Sequence, residues 1–228
     1  MGGSEVEGNL VDVRSGGIRP VRLHIMEDRI AGMTSIQGTR DRYLLPGLID
    51  AHVHMESSLL CPSRFAEAAL ARGTTAVVSD PHEIANVLGM EGIRYMLKEA
   101  EGTPLRIFYT APSCVPAPGR EEGPRLDAEA IRELLSMDRF VALGEVMDFR
   151  AVLDDRPGMM AKLDVAKEMG KRIDGHAPGL RGAALMAYIA AGADSDHECT
   201  TAEEAEEKGR LGMSIMVREG SAARDMAA

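Results

Sequence analysis

From Leu44 onward the chain repeats one pattern: an apolar run of strand length, a short polar stretch, then a segment of helical periodicity. The apolar runs are Leu44–His54, Thr75–Asp80, Leu105–Ala111, Phe140–Glu145, Arg172–His176, Ala193–His197 and Met213–Val217. Helical segments fall between them at Arg64–Arg72, Ile84–Glu101, Asp127–Ser136, Met159–Met169, Leu180–Ala190 and Ala202–Lys208. Asp127 suits the N-cap of its helix, and Thr200 or Thr201 that of the last one. Strands separated by helices pair in parallel through right-handed crossovers, so the chain is α/β. Periodicity alone does not separate an open sheet from a barrel.

Residues 1–43 read differently. Leu10–Val13 and Val21–Ile25 are short β-like runs, with turns at Gly16-Gly17 and Glu27-Asp28, which predicts a small β-subdomain. The remainder, 44–228, is then the larger unit. The net charge of −10 argues against nucleic acid as the main partner, though not against a neutral base. The longest apolar stretches are strand-sized, so no membrane span is expected. Met1–Asn9 is polar and lacks an apolar signal core. Cys61, Cys114 and Cys199 are widely spaced and odd in number, which fits reduced thiols in a cytoplasm. The 15 methionines read as core filler, and Glu203-Glu204-Ala205-Glu206-Glu207 reads as a solvated helix face. Glycine-rich phosphate loops are absent from the sequence.

The polar residues gather at the ends of the runs. His52, His54 and Glu56 follow the first; Asp80, His82 and Glu83 the second; Ser113 and Cys114 the third. Glu145 and Asp148 close the fourth, His176 the fifth, Asp196, His197 and Glu198 the sixth, and Arg218 and Glu219 the seventh. Five of the six histidines lie at predicted strand ends, His24 being the exception. Taken singly, each cluster is ordinary. In a barrel of alternating strands and helices all would converge on one mouth. Two imidazoles at i and i+2 on a strand share a face and suit a divalent metal.

These residues resemble the amidohydrolase superfamily. Its signature P-G-x-I/L-D-x-H-x-H is met by Pro46-Gly47-Leu48-Ile49-Asp50-Ala51-His52-Val53-His54. A narrower resemblance, to the adenine deaminase family, rests on His54-Met55-Glu56-Ser57-Ser58, Ser79-Asp80-Pro81-His82-Glu83 and Ala111-Pro112-Ser113-Cys114-Val115-Pro116. It continues through Gly144-Glu145-Val146-Met147-Asp148, Gly175-His176-Ala177-Pro178-Gly179, Asp196-His197-Glu198 and Val217-Arg218-Glu219-Gly220-Ser221.

The resemblance implies a TIM-like (β/α)8 barrel of the amidohydrolase type and a binuclear divalent-metal centre. His52 and His54 would hold one ion and His176 and His197 the other. Glu145 would bridge them, where many relatives carry a modified lysine. It further implies manganese or iron, with zinc also suited to such ligands. Asp80 and His82 are implied as an additional metal-binding cluster. The implied reaction is hydrolysis of adenine to hypoxanthine and ammonia in purine salvage. A water acidified by the metal pair attacks C6, and a carboxylic acid passes a proton to the leaving amine. Glu83 and Glu145 are the implied catalytic carboxylates, and Ser113, Glu198 and Arg218 the candidates for holding the purine. The implied partners are the small-molecule substrate and further copies of the full-length chain.

One part of the family pattern is missing. The eighth strand carries an aspartate that meets the metal and shuttles the proton, whereas Asp225 lies in an Ala-rich tail. The expectation is therefore an incomplete barrel of about seven strands, truncated before strand eight. Such a piece would be poorly soluble and nearly inactive alone. Two other readings remain at this point: an amidohydrolase acting on a cyclic amide, against which Glu145 speaks because those enzymes usually carry lysine there, and an inactive metal-binding fragment.

Overall fold

In the computed structural model, which describes residues 3–38, 40–120, 122–220 and 223–227, the chain divides into two compact units, one through Gly47 and one from Leu48.

The first unit is a four-stranded sheet. Strands β1 (Gly3–Val11), β2 (Ile18–Met26) and β3 (Arg29–Ser35) form an antiparallel meander, and β4 (Tyr43–Leu44) pairs in parallel with β1. The predicted first apolar run is thus split between the two units. Pro46 lacks the N–H that a continuous ladder needs, so the run breaks there. Leu44 stays in the small sheet, where it packs onto Gly8, and the boundary falls at Gly47 rather than at residue 43. Across this sheet Glu7 accepts from Arg22 at 2.6 Å and from Arg40 at 2.9 Å, which holds its carboxyl below the usual range.

The second unit is a seven-stranded parallel sheet that curls into part of a barrel. Its strands are β5 (Leu48–Val53), β6 (Thr74–Ser79), β7 (Arg106–Ala111), β8 (Phe140–Val146), β9 (Arg172–Gly175), β10 (Ser195–Asp196) and β11 (Ser214–Ile215). They lie side by side in chain order, with β5 and β11 at the edges. Helices α1 (Pro62–Leu70), α2 (His82–Glu99), α3 (Ala128–Leu135), α4 (Phe149–Leu153), α5 (Pro157–Glu168), α6 (Gly182–Ala190) and α7 (Ala202–Arg210) connect them. Asp127 caps α3 by accepting from the Ala130 N–H at 2.9 Å, and Thr201 caps α7 through Glu204 N–H. The short α4 was not expected; Asp148 nucleates it by accepting from Ala151 N–H.

The core lies between the sheet and its helices. Tyr109, Phe140, Leu143 and Ile173 from the strands meet Ile131, Leu134, Leu135 and Leu163 from α3 and α5, all at most 4% exposed. Met55 and Met96 are buried fillers, as the methionine content suggested, whereas Met26 and Met186 are exposed. On the other face of the sheet, Ala51, Val78, Thr110, Ala142, Asp174 and Ser195 line a small cavity. The site stands at the end of the strands next to this cavity.

Candidate metal centre

Glu145, at the end of β8, is 2% exposed and sits among five histidines, four of them in two pairs. Its two oxygens divide the ring. Oε1 lies 3.0 Å from His54 Nε2 and 3.7 Å from His52 Nε2, while Oε2 lies 2.6 Å from His176 Nδ1 and 3.2 Å from His197 Nε2. Within each pair the nitrogens are close neighbours: 3.2 Å between the Nε2 atoms of His52 and His54, and 3.3 Å between His176 Nδ1 and His197 Nε2. Residues at the C-terminal ends of β5, β8, β9 and β10 therefore converge on one point.

Backbone and side-chain contacts fix these groups. The Nδ1–H of His54 donates to the Asp80 carbonyl at 3.0 Å, which leaves Nε2 as the free ligand atom. The Asp80 side chain accepts from the Glu145 N–H at 3.1 Å, so one residue at the end of β6 positions both. Gly144 is required beside it, since a Cβ there would run into Asp80 Oδ2 and Thr110 Oγ1. Tyr188, fully buried on α6, accepts from His176 N–H at 3.1 Å and donates to the Val146 carbonyl at 2.8 Å. It ties the ends of β8 and β9 together.

A buried ion cluster ties the next two strand ends. Lys208, fully enclosed on α7, donates to Asp196 at 2.9 Å, Glu204 at 2.7 Å and the Ala177 carbonyl at 2.7 Å. Asp196 also accepts from Ala177 N–H, and Glu204 from Gly179 N–H. The acidic run Glu203–Glu207 is thus no purely solvated face: Glu204 is 5% exposed. Its i,i+4 spacing to Lys208 was the available signal, masked by the neighbouring exposed glutamates. Tyr188 and Asp174 were also missed, because a tyrosine in an apolar helix and a carboxylate two residues before a histidine look unremarkable in sequence.

The other predicted residues divide. His82 joins the centre, its Nδ1 lying 3.1 Å from Glu145 Oε1 and 3.6 Å from Asp80 Oδ1. Glu83, half-buried at the start of α2, accepts from the Ser57 hydroxyl at 2.5 Å. Glu198 and Arg218 pair with each other at 2.7 Å, and Arg218 also donates to Asp225 at 2.9 Å. Ser113 is 1% exposed and donates to the Glu145 carbonyl at 2.7 Å, so its hydroxyl steadies β8 rather than facing the mouth.

The electrostatics follow from Glu145. Burial pushes its carboxyl up, but the surrounding imidazoles of His176, His197, His54 and His82 outweigh that and hold it far below the usual range. Conversely, burial opposes protonation of His54, yet Glu145 and Asp80 push it up to about 9. Burial likewise opposes the charge on His82 and His197. Asp80 and Glu145 raise the first to about 11, and Asp174 and Glu145 raise the second to about 10.

The residues fit a divalent cation. Glu145 Oε1, His82 Nδ1 and Asp80 Oδ1 are buried without a hydrogen bond, although imidazole nitrogens stand about 3 Å from Glu145 Oε1. Ligand-type nitrogens and oxygens thus converge with unmet hydrogen-bonding capacity, around a buried anion that calls for positive charge. Among the described residues, His52–His54–Glu145, Glu145–His176–His197 and Asp80–His82–Glu145 each bring three ligand atoms within reach of one ion.

Residues 43–223 match the amidohydrolase family, and the chain belongs to it. The family implies a divalent metal, for which the clusters above are the candidate ligands. At closer range, the chain is 49% identical over 222 residues to the adenine deaminase of Methanothermobacter thermautotrophicus, covering 97% of this chain and 41% of that protein. It is 56% identical over 186 residues to the adenine deaminase of Methanosarcina barkeri, covering 81% and 34% respectively. The adenine deaminase of Salinibacter ruber is 47% identical, with 96% and 41% covered. The chain thus spans about two fifths of the length of the first of these curated relatives.

Among solved structures, N-isopropylammelide isopropylaminohydrolase from Burkholderia multivorans superposes with a TM-score of 0.55 at 16% identity, covering 99% of this chain and 70% of that one. N-acetyl-D-glucosamine-6-phosphate deacetylase from Mycobacterium smegmatis gives 0.57 at 17%, covering 85% and 59%. At such identities the likeness shows the fold.

Proposed function

We propose that the full-length protein is a metal-dependent hydrolase that converts adenine to hypoxanthine and ammonia. The observation that carries this reading is Glu145, one oxygen toward His52 and His54 and the other toward His176 and His197. The adenine deaminase relatives supply the substrate class.

His52, His54 and Glu145 would hold one ion, and Glu145, His176 and His197 a second, with Asp80 and His82 offering a further position beside Glu145. Imidazole and carboxylate donors without thiolate suit Mn2+ or Fe2+, with Zn2+ as the third choice. Bound there, a divalent pair supplies a water acidic enough to serve as nucleophile at neutral pH.

The chain's own residues supply the rest. The Asp80 carbonyl keeps the His54 proton on Nδ1, so that Nε2 faces the centre. Glu83, oriented by Ser57, would take the proton that the attacking water gives up and pass it to the departing amine. Glu198 and Arg218, paired at 2.7 Å, offer an acceptor and donors to the edge of a neutral purine. Among the described residues no helix is long and apolar enough to cross a membrane. We place the enzyme in the cytoplasm, in purine salvage, as a homo-oligomer independent of nucleic acid.

The test is ammonia release by the full-length protein loaded with Mn2+ or Fe2+, with adenine and a panel of cyclic amides offered separately. Release from adenine, abolished by chelation, is the expected result. Ring opening of a cyclic amide with no turnover of adenine overturns the assignment.

A further inference from the structure

We propose that Asp174 is a shared outer carboxylate of the metal centre: one side chain that orients a histidine of each half-site and so couples the occupancy of the two. The proposal rests on the metal-centre reading above.

Asp174 lies on β9, two residues before His176, and Ser195 lies on β10, two residues before His197. The two-residue period that brings both histidines to the mouth puts Asp174 and Ser195 one layer beneath them. Both line the cavity under the site, and Asp174 is 6% exposed. Its Oδ1 accepts from the Ser195 hydroxyl at 2.6 Å. Its Oδ2 accepts from His52 Nδ1–H at 3.0 Å and lies 3.7 Å from His197 Nδ1.

The two imidazoles are stacked face to face, with ring centroids 3.7 Å apart and planes 19° from parallel. Both Nδ1 atoms therefore point down to one carboxylate, and both Nε2 atoms point up to Glu145. His52 belongs to the first half-site and His197 to the second. His197 Nδ1 is buried and makes no hydrogen bond, so a small approach to Asp174 would satisfy it. His54 takes its anchor from the Asp80 carbonyl, and His176 offers Nδ1 itself to Glu145. That leaves Asp174, on the far side of the rings from Glu145, as an outer anchor common to both half-sites.

The physical effect is specific. An imidazole that donates its Nδ1–H to a carboxylate is locked with Nε2 unprotonated, held in one orientation and made a stronger ligand. When the anchor is common to both half-sites, filling one site drops a negative charge and a ring into place for the other. A direct-ligand role is geometrically open, since Asp174, His52 and His197 also bring ligand atoms together. It would require both rings to turn their Nδ1 atoms into ligands and leave Glu145.

The test uses the full-length protein, stripped by chelation and titrated calorimetrically with Mn2+, as wild type and as Asp174→Asn. The amide keeps the shape, removes the charge and offers one acceptor to two imidazoles. Expected is a weakening of both ions together, by about 10- to 100-fold, with unchanged far-ultraviolet circular dichroism. In the Co2+-loaded form, two exchangeable imidazole N–H proton resonances should shift or vanish, a change that a merely structural role would not produce. Unchanged affinities overturn the proposal, as does loss of one ion with the other bound at wild-type strength. If Asp174→Asn does not fold, Ser195→Ala frees the other oxygen without touching either ring. It should weaken both ions several-fold, and unaltered binding counts against the proposal. Wild type that takes up no stoichiometric Mn2+ refutes the metal-centre reading itself, and Asp174 with it.

Discussion

At the scale of single residues, the centre depends on a carboxylate that would be intolerable alone. A buried anion must be matched by positive charge or hydrogen bonds, and Glu145 is 2% exposed among imidazoles. Glu145→Gln removes the charge that the two proposed half-sites would share. It is expected to reduce bound metal from two ions per chain to one or none, read by elemental analysis of dialysed protein. Beside it, Gly144 has no room for a methyl group, because Asp80 Oδ2 and Thr110 Oγ1 occupy the space. Gly144→Ala should cost about 1–3 kcal/mol through overpacking, measured by denaturant unfolding. It should also disturb the Asp80 bond that holds the Glu145 amide. His52, His54, Glu145, His176 and His197 were all legible in sequence, since polar residues that end apolar runs stand out. Asp174 was not: its meaning depends on a stacked pair of rings from two strands far apart in the chain.

At the scale of elements, the helices behave as their termini dictate. Asp127 satisfies an amide that the first turn of α3 leaves open, so Asp127→Ala should cost about 1 kcal/mol. The loops that carry His176 and His197 are held by α7 through Lys208. Lys208→Ala would strand Asp196 and Glu204 in the interior, and the expected loss is about 3–5 kcal/mol. A urea titration would show it, and α7 is also where the sequence reading erred. Helical periodicity located α7, but side-chain charge suggested solvent for a face that is partly enclosed. Burial of a salt-bridged lysine is decided by what packs over it, and that information is not local. The splitting of the first apolar run has the same origin: Pro46 marks the break, while the pairing of Leu44 with Leu10 is a long-range contact.

At the scale of the whole molecule, the parallel sheet is what assembles the candidate metal centre. Seven strands laid in chain order bring residues 52 and 197, far apart in sequence, to stacked rings 3.7 Å between centroids. Metal binding should then report on folding of the second unit. A ligand at about 100 times its dissociation constant stabilises the state that binds it by about 2.7 kcal/mol. Mn2+-loaded full-length protein should therefore melt several degrees above its chelated form, followed by scanning calorimetry. Equal melting temperatures would speak against ligation by residues of several strands.

The amino-acid sequence by itself determined the alternation of strands and helices, the parallel order they impose and the residues at the strand ends. Those properties are carried by local periodicity and residue type, which need no partner to be read. Tertiary structure alone decided how far the sheet curls, where the first unit ends, and which polar groups are enclosed. It also set which carboxylate serves which imidazole. These depend on contacts between segments distant in the chain, where burial and hydrogen-bond satisfaction choose among arrangements that the local pattern leaves equal.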